Sequence, residues 1–350
     1  MPKGLTKNRD HTWDALKFVL VVFVILGHWL ECDLEVDGLN QIVYNFRALF
    51  TIPLFVFISG YFSRKKEWHE FFRDIIHIAE TYCIVQILYV VTSILLQGKH
   101  YGMEVLFIPN HAAWYLFSLI IWRAILQSLS NKILNSNYLL VICLLISLIA
   151  GFVPLESAFS FQRTLGFLPF FIAGFKMKGK IDFGRKSVLL NSICIIFIIG
   201  VFVLCYFCFN QNLSYIVHLQ NDYFSPPYPE YRLFFARGVF LVFAFLTSIC
   251  VLVLFPLCPH ESFLSKQGRD SLFYYVFHVI VMRIIIICLK QVSMTFPIML
   301  LLTICSVLIL YFLNKISILR MLLNPISSII RMNNRLDPSP NITAQKDVIK

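Results

Sequence analysis

Apolar residues along this chain fall in long runs separated by short polar segments. Runs long enough for tilted membrane helices occur near residues 15–30, 48–62, 75–96, 112–128, 138–153, 164–175, 188–209, 233–256, 271–289 and 296–313. The run at 164–175 is short, which predicts a broken or half-depth helix. The pattern predicts an all-α fold, a polytopic membrane helix bundle of about ten transmembrane helices.

Composition and charge placement agree with a membrane protein. The chain is 58% hydrophobic and 14% charged, so a soluble domain could not hide its apolar side-chain area. If both termini are cytoplasmic, most of the 30 Lys and Arg residues fall in inner loops and tails, and Lys17, Arg123, Arg237 and Arg283 lie within predicted spans. This distribution explains the net charge of +11 through membrane topology and lipid contact, without nucleic acid.

Two ionisable residues in the first predicted span are the main indication of function. Lys17 and His28 are eleven residues apart, so in a helix they share one face about 16 Å apart along the axis. Ionisable groups in membrane helices are costly and usually face a protein interior or an aqueous pocket. The pair therefore suggests a column from an anion-binding mouth to a buried base.

Each residue of the pair has a purely structural alternative. A neutral His28 imidazole suits a general base, but it could equally hydrogen-bond a neighbouring helix. Lys17 could be held by Trp13 and Asp14, which precede it by four and three residues on the same face, through a cation–π contact and an ion pair. It could instead extend to the inner membrane surface.

Further polar residues are open to two interpretations. Arg163 precedes the short sixth run, where it could orient an acceptor or stabilise an oxyanion, or simply anchor the headgroup layer. His278 could support a site or be a packed, hydrogen-bonded histidine. Arg237 and Arg283 need partners inside the bundle and could form structural ion pairs. The histidines outside the predicted spans show no metal-ligand spacing, so no metal is expected.

Several motifs resemble the integral-membrane acyltransferase-3 family, especially members similar to fucose 4-O-acetyltransferases. The first helix has the form W-D-x-L-K-x10-H, and P-L-F-x-F-x-S-G-Y-F, which contains Ser59, is followed by the basic residues Arg64, Lys65 and Lys66. Weaker matches are A-W-Y-L from Ala113, R-x5-P-F-F-x2-G from Arg163, and G-x2-S-L-x2-Y-x2-H ending at His278. The resemblance covers about residues 10–315.

The resemblance implies a membrane O-acyltransferase that moves an acetyl group from acetyl-CoA, a co-substrate rather than a bound cofactor, to a saccharide hydroxyl. Carried onto this chain, His28 is the essential histidine and Lys17 the basic residue eleven places earlier. Lys17, Arg64, Lys65 and Lys66 would hold the CoA phosphates, while Trp13, Asp14, Ser59, Arg163 and His278 would support the site or the acceptor. His28 would act as a general base or as an acyl relay.

Two departures from the family pattern concern the second and third runs. Many relatives have histidine just before P-L-F, where this chain has Thr51 and Ile52, and many have R-x-x-R where it has Arg73 and His77. The expected domains are a cytoplasmic segment 1–14, an acyltransferase-3-like transmembrane domain 15–315, and a cytoplasmic tail 316–350 with a disordered end.

The expected location is the inner or plasma membrane, and the expected acceptor is a cell-surface or lipid-linked saccharide. A transporter or flippase for a polysaccharide or lipid intermediate is the alternative, since intramembrane charges can also line a path. A non-catalytic partner of a glycan synthase is a third possibility. The chain shows no repeat symmetry of the transporter type, which favours the enzyme.

Overall fold

The computed structural model describes residues 10–33, 38–155, 158–184, 187–208, 214–224, 229–289 and 295–323. These residues form helices and turns and contain no strand. The helices are α1 His11–Leu30, α2 Gly38–Ala48, α3 Thr51–Phe62, α4 Trp68–Gln97, α5 Ala113–Ser128, α6 Asn131–Asn135, α7 Tyr138–Ile149, α8 Phe161–Lys176, α9 Val188–Cys208, α10 Ser214–Val217, α11 Glu230–Leu254, α12 Phe263–Arg269, α13 Ser271–Cys288, α14 Phe296–Leu313 and α15 Ser317–Leu322. Short 3-10 turns lie at Glu31–Asp33, Met103–Leu106, Ala150–Phe152 and Ala158–Ser160.

Seven segments of the described chain are long and apolar enough to cross a membrane. They are His11–Leu30, Gly38–Phe62, Trp68–Gln97, Val188–Phe207, Glu230–Leu254, Ser271–Cys288 and Phe296–Leu313. Helices α5, α7 and α8 coincide with three further apolar runs but have only 16, 12 and 16 residues. The predicted all-α membrane bundle is confirmed, while the count of ten spans and the cytoplasmic termini stay predictions.

The structure moves three boundaries of the sequence interpretation. Helix α1 begins at His11 rather than at residue 15, because the Asp10 side chain accepts a hydrogen bond from the Thr12 amide (3.0 Å) and caps the helix. Helix α2, with Arg47 near its end, occupies the segment that hydropathy placed in a loop. Helix α15 lies at the start of the predicted tail, whose remainder from residue 324 is outside the described residues.

Helix α1 lies at the centre of the bundle. It packs against α3, α12, α13 and α14, and 72% of its apolar window is buried, compared with 17% for α9. The indole nitrogen of Trp29 in α1 donates a hydrogen bond to Ser306 Oγ in α14 (3.0 Å). The central position of α1 allows polar side chains on this helix to face protein instead of lipid.

Helices α3 and α8 are held together by a reciprocal pair of glycines. A Cβ on Gly60 would lie 1.9 Å from the Phe171 carbonyl oxygen, and one on Gly174 would lie 1.9 Å from the Phe57 carbonyl oxygen. Small residues let membrane helices approach until their backbones touch. This contact fixes α3, and with it α2, against the rest of the bundle.

Two buried arginines are paired with neutral groups, and within the part of the chain that the structure describes they do not form the ion pairs that the sequence suggested. Arg237 donates to the side chain and carbonyl oxygens of Gln162 (both 3.3 Å). Arg283 donates to the Tyr89 carbonyl (2.6 Å) and to Thr92 Oγ1 (2.5 Å). Carbonyl and hydroxyl oxygens can solvate a guanidinium without a second charge having to be buried.

Candidate functional site

His28 lies in the last turn of α1, close to the end of the apolar run at 15–30. Its Nδ1 atom is 2.7 Å from Glu31 Oε2, one helical turn further along the chain. The ring is 30% exposed. Since Nδ1 faces the carboxylate, Nε2 is the nitrogen left for chemistry.

Glu31 is the centre of a small hydrogen-bonded cluster. Its second oxygen accepts a hydrogen bond from the Tyr44 hydroxyl (2.8 Å) and lies 3.4 Å from His218 Nε2. The Tyr44 hydroxyl oxygen and His218 Nε2 also contact each other. Because the hydroxyl gives its one hydrogen to Glu31, His218 Nε2 must be a donor.

The cluster keeps Glu31 ionised. Withdrawal from water would by itself raise the pKa of the Glu31 carboxyl, but charge and hydrogen-bond interactions with His28 and His218 hold that pKa well below its usual range. Withdrawal from water lowers the pKa of His218, although Glu31 acts in the opposite direction. A permanently charged carboxylate therefore faces His28 across the neutral pH range.

The His28 side chain lines a cavity of about 580 Å³ at the C-terminal end of α1. Its wall combines polar and aromatic groups from α1, α2, α5, α8, α13 and the loops between helices. The polar and aromatic lining residues are His28, Glu31, Tyr44, Arg47, His111, Trp114, Arg163, Phe167, His218, Gln220, Asn221 and Tyr275. Such a cavity is large enough for a small organic substrate together with several polar contacts.

A second cavity of about 440 Å³ adjoins the first. His111, Arg163 and Gln220 line both cavities, and the second one also exposes Tyr101 and Asn110. Withdrawal from water lowers the pKa of His111 to about 4, so its ring is neutral at physiological pH. The two cavities together form a polar path that leads to His28.

Backbone strain is concentrated around these cavities. In the described ranges, the non-glycine residues with positive φ are His111 (42°), Phe159 (51°), Ser160 (49°) and Leu219 (50°). His111 and Ser160 line a cavity wall, Phe159 precedes Ser160, and Leu219 separates His218 from Gln220. Strained conformations typically persist where function requires them.

Arg163 and His278, both singled out from the sequence, lie at this site. The Arg163 guanidinium stacks over the Trp114 ring at 5.1 Å and donates to Gln220. The buried His278 ring stacks on His28 with 5.1 Å between centroids, and its Nδ1 donates to the Tyr274 carbonyl (3.3 Å). His278 thus packs against the His28 ring but is not among the residues that line the cavity, whereas Arg163 lines it.

The remaining predicted residues lie toward the other end of α1. Lys17 Nζ pairs with Asp14 Oδ1 at 2.7 Å, as expected. The Trp13 ring instead packs on Tyr61 and Phe62, so within the described chain the predicted cation–π contact with Lys17 is not formed.

The basic residues after α3 have individual partners. Lys65 Nζ donates to the Leu129 carbonyl (2.6 Å), and Lys66 Nζ pairs with Asp74 (2.5 Å). Arg64 is exposed and lines a cavity of about 180 Å³ with Lys66. Ser59 Oγ contacts the Tyr115 hydroxyl (2.6 Å) and is not among the residues lining the His28 cavity. The structure thus separates the His28 cavity from the predicted donor mouth.

Several residues of the site were not singled out from the sequence, among them Glu31, Tyr44, Arg47, His111 and His218. Glu31 carries a usable signal, since it follows His28 by three residues and so lies on the same helical face. Tyr44 and Arg47 have the same spacing within α2. His111 and His218 come from separate loops, and no local pattern connects them with His28.

A polar cavity enclosed by a multi-span helix bundle, with a histidine–carboxylate pair at its wall, defines a membrane protein equipped for acid–base chemistry. The acyltransferase-3 family, described as an acyltransferase domain, matches residues 10–315. The chain therefore belongs to this family and is a membrane acyltransferase. Comparison with curated proteins and with solved structures gives no significant match.

Proposed function

We propose that the protein transfers an acetyl group from acetyl-CoA to a hydroxyl of a cell-surface or lipid-linked saccharide in the inner or plasma membrane. The observation that carries the proposal is the His28–Glu31 pair at 2.7 Å, facing a polar cavity inside a membrane acyltransferase. A carboxylate that orients a histidine and stabilises its protonated form is a recurring arrangement in acyl transfer.

Glu31 gives His28 a defined role in the proposed reaction. By accepting the Nδ1 hydrogen it fixes the tautomer in which Nε2 carries the lone pair that can take a proton. In the direct route, Nε2 removes the proton of the acceptor hydroxyl, whose oxygen attacks the thioester carbonyl carbon. The C–S bond then breaks, and the CoA thiolate takes the proton from Nε2.

An acyl relay through His28 uses the same arrangement. Nε2 would attack the thioester carbonyl carbon, and the C–S bond would break to release the CoA thiolate. The acceptor oxygen would then attack the acetyl carbon, the bond to Nε2 would break, and the proton of the acceptor hydroxyl would pass to the CoA thiolate. The relay suits a donor and an acceptor that approach from different ends of the bundle.

The two ends of α1 support a division of labour between the substrates. Lys17 and Arg64 lie toward the N-terminal end of α1 with several basic neighbours, which suits the phosphates of acetyl-CoA. Eleven helical residues rise about 16 Å, a gap that the extended pantetheine arm would bridge to His28. The adjoining cavity with Tyr101, Asn110 and Arg163 offers hydrogen-bonding groups and a ring, which suit a saccharide.

The decisive test combines purified protein, acetyl-CoA with a labelled acetyl group, and candidate glycans. We expect CoA release coupled to glycan labelling, and a loss of at least about 100-fold in turnover for His28→Ala. His69→Ala, which changes an exposed histidine in the first turn of α4, should retain wild-type turnover. Glycan labelling by a correctly folded His28→Ala protein would refute the role of His28. Glycan movement without CoA release would favour a carrier.

A further inference from the structure

Arg47 is a buried cation whose position the hydropathy pattern did not anticipate. Arg47 is 3% exposed and lines the His28 cavity. The guanidinium stacks over the ring of Tyr44, three residues earlier in α2, at 4.4 Å. Its Nε and Nη2 atoms are buried and have no hydrogen-bond partner among the described residues.

The guanidinium lies directly on the α1 backbone beside His28. An ideal Cβ on Gly27 would be 1.8 Å from Arg47 Cζ, 2.1 Å from Nε and 2.2 Å from Nη2. Any side chain at position 27 would therefore displace Arg47. Glycine at position 27 leaves space for the Arg47 guanidinium. This places a fixed positive charge beside Gly27, the residue that precedes His28.

One further anion would balance the charges on the cavity wall. Among the described lining residues the permanently charged groups are Arg47 and Arg163, opposed by the carboxylate of Glu31, which already binds His28 and Tyr44. A buried guanidinium with unused donors is costly unless an anion meets it. The arrangement is therefore prepared for negative charge that arrives or develops during the reaction.

We propose that Arg47, seated on Gly27, stabilises the oxyanion of the thioester carbonyl during acyl transfer beside His28. This inference rests on the proposed function. When a nucleophile bonds to the carbonyl carbon, the π electrons move onto the carbonyl oxygen, and the Nε–H and Nη2–H groups donate to it. When the C=O bond re-forms, the C–S electrons leave with the CoA sulfur, which takes a proton.

The same oxyanion forms whether the nucleophile is the acceptor oxygen or His28 Nε2, so the inference applies to both routes. Donors already held in place for developing charge cost no reorganisation at the moment of reaction. The contact with Gly27 and the stacking on Tyr44 hold the guanidinium in position before substrate binds.

The test separates transition-state from ground-state binding. Arg47→Met, which retains apolar bulk, should lower kcat about 100- to 1,000-fold while leaving the KM of acetyl-CoA and of the glycan near wild type. Arg47→Lys should recover part of the loss, since it restores charge but not the two-donor geometry. Arg283→Met is the matched control, because it removes a buried guanidinium that does not line the cavity.

Gly27→Ala supplies an independent variant with the arginine intact. The added methyl must displace the guanidinium, so kcat should fall in the same direction as in Arg47→Met. Gly200→Ala, where a Cβ meets nothing within 4 Å, is its control and should keep full activity. Thermal unfolding midpoints of all variants establish that each protein is folded.

Two results overturn the inference while leaving the proposed function intact. One is wild-type kcat in a folded Arg47→Met protein. The other is a raised KM with unchanged kcat, which would make Arg47 a binding group for an anion already present on a substrate. A wild-type protein that releases no CoA with any glycan would instead overturn the proposed function, and this inference with it.

Discussion

At the scale of single residues, the site depends on the carboxylate of Glu31, which belongs to none of the sequence motifs. Glu31 accepts hydrogen bonds from two side chains of different helices and thereby joins α1 to α2. Replacing it would both release the His28 ring and leave the Tyr44 hydroxyl without its acceptor. Glu31 therefore contributes to the structure in addition to its proposed role beside His28.

Glu31→Gln should lower the unfolding temperature at neutral pH and should lose this effect in acid. The Glu31 pKa is depressed in the folded protein, so its stabilising contribution is present above the unfolded value of 4.5 and is lost as pH falls through the folded value. Thermal unfolding in detergent at pH 7 and at acid pH, for wild type and variant, measures the difference. An unfolding-temperature difference that stays constant with pH would contradict this prediction.

At the scale of elements, α2 carries Tyr44 and Arg47 of the site, and its position depends on one tight contact made by α3. Gly60 and Gly174 bring α3 and α8 to backbone distance, and α2 continues directly into α3. Tyr44 and Arg47 therefore keep their places relative to His28 only if α3 keeps its packing distance from α8.

Gly60→Ala should destabilise the protein by about 1–3 kcal/mol, because the new methyl would overlap the Phe171 carbonyl and force the two helices apart. The unfolding temperature and the yield of monodisperse protein measure this effect. Gly238→Ala, whose Cβ would have its nearest neighbour at 3.7 Å, is the matched control. Equal stability of the two variants would show that α3 and α8 do not need this close approach.

The sequence located most membrane helices and some residues that line the candidate site, and its errors have a common physical cause. The apolar pattern located α1 and predicted the Lys17–Asp14 pair, because both depend on local spacing. It placed Arg47 in a loop, because α2 carries Asn40, Gln41 and Asn45 as well, and hydropathy cannot distinguish a polar loop from a polar helix buried around a cavity. His111 and His218 meet His28 only through tertiary packing.

At the scale of the whole molecule, the bundle has chemically different ends joined by α1. Toward the N-terminal end of α1 lie Lys17 and the basic residues after α3, and toward the other end lies the polar double cavity. If the proposed assignment of substrates to ends is right, variants at the two ends should affect different substrates.

Lys17→Ala should raise the KM of acetyl-CoA more than that of the glycan, since it removes a cation near the proposed phosphate site. Steady-state kinetics with each substrate varied in turn gives the two values. Lys132→Ala, an exposed lysine in α6, serves as the charge-matched control. A rise confined to the glycan KM would assign Lys17 to the acceptor instead.

Tyr101→Ala should have the opposite selectivity, because it removes a ring and a hydroxyl from the second cavity. The glycan KM should rise, while the acetyl-CoA KM and any background CoA release without glycan should remain unchanged. Tyr138→Ala removes an exposed tyrosine on α7 and should alter neither value. Unchanged glycan kinetics in Tyr101→Ala would place the acceptor elsewhere.

Because Lys17 and His28 lie on one continuous helix, the geometry of α1 fixes both the distance and the angle between them. Each residue added to or removed from a helix turns everything beyond it by about 100° and shifts it by about 1.5 Å. A one-residue change between the two positions would therefore swing the imidazole away from its cavity before it altered the span appreciably. If Lys17 holds the donor and His28 meets its thioester, as proposed, donors of different length could be matched only in steps of about a whole helical turn, and this spacing would select for one length of acyl carrier.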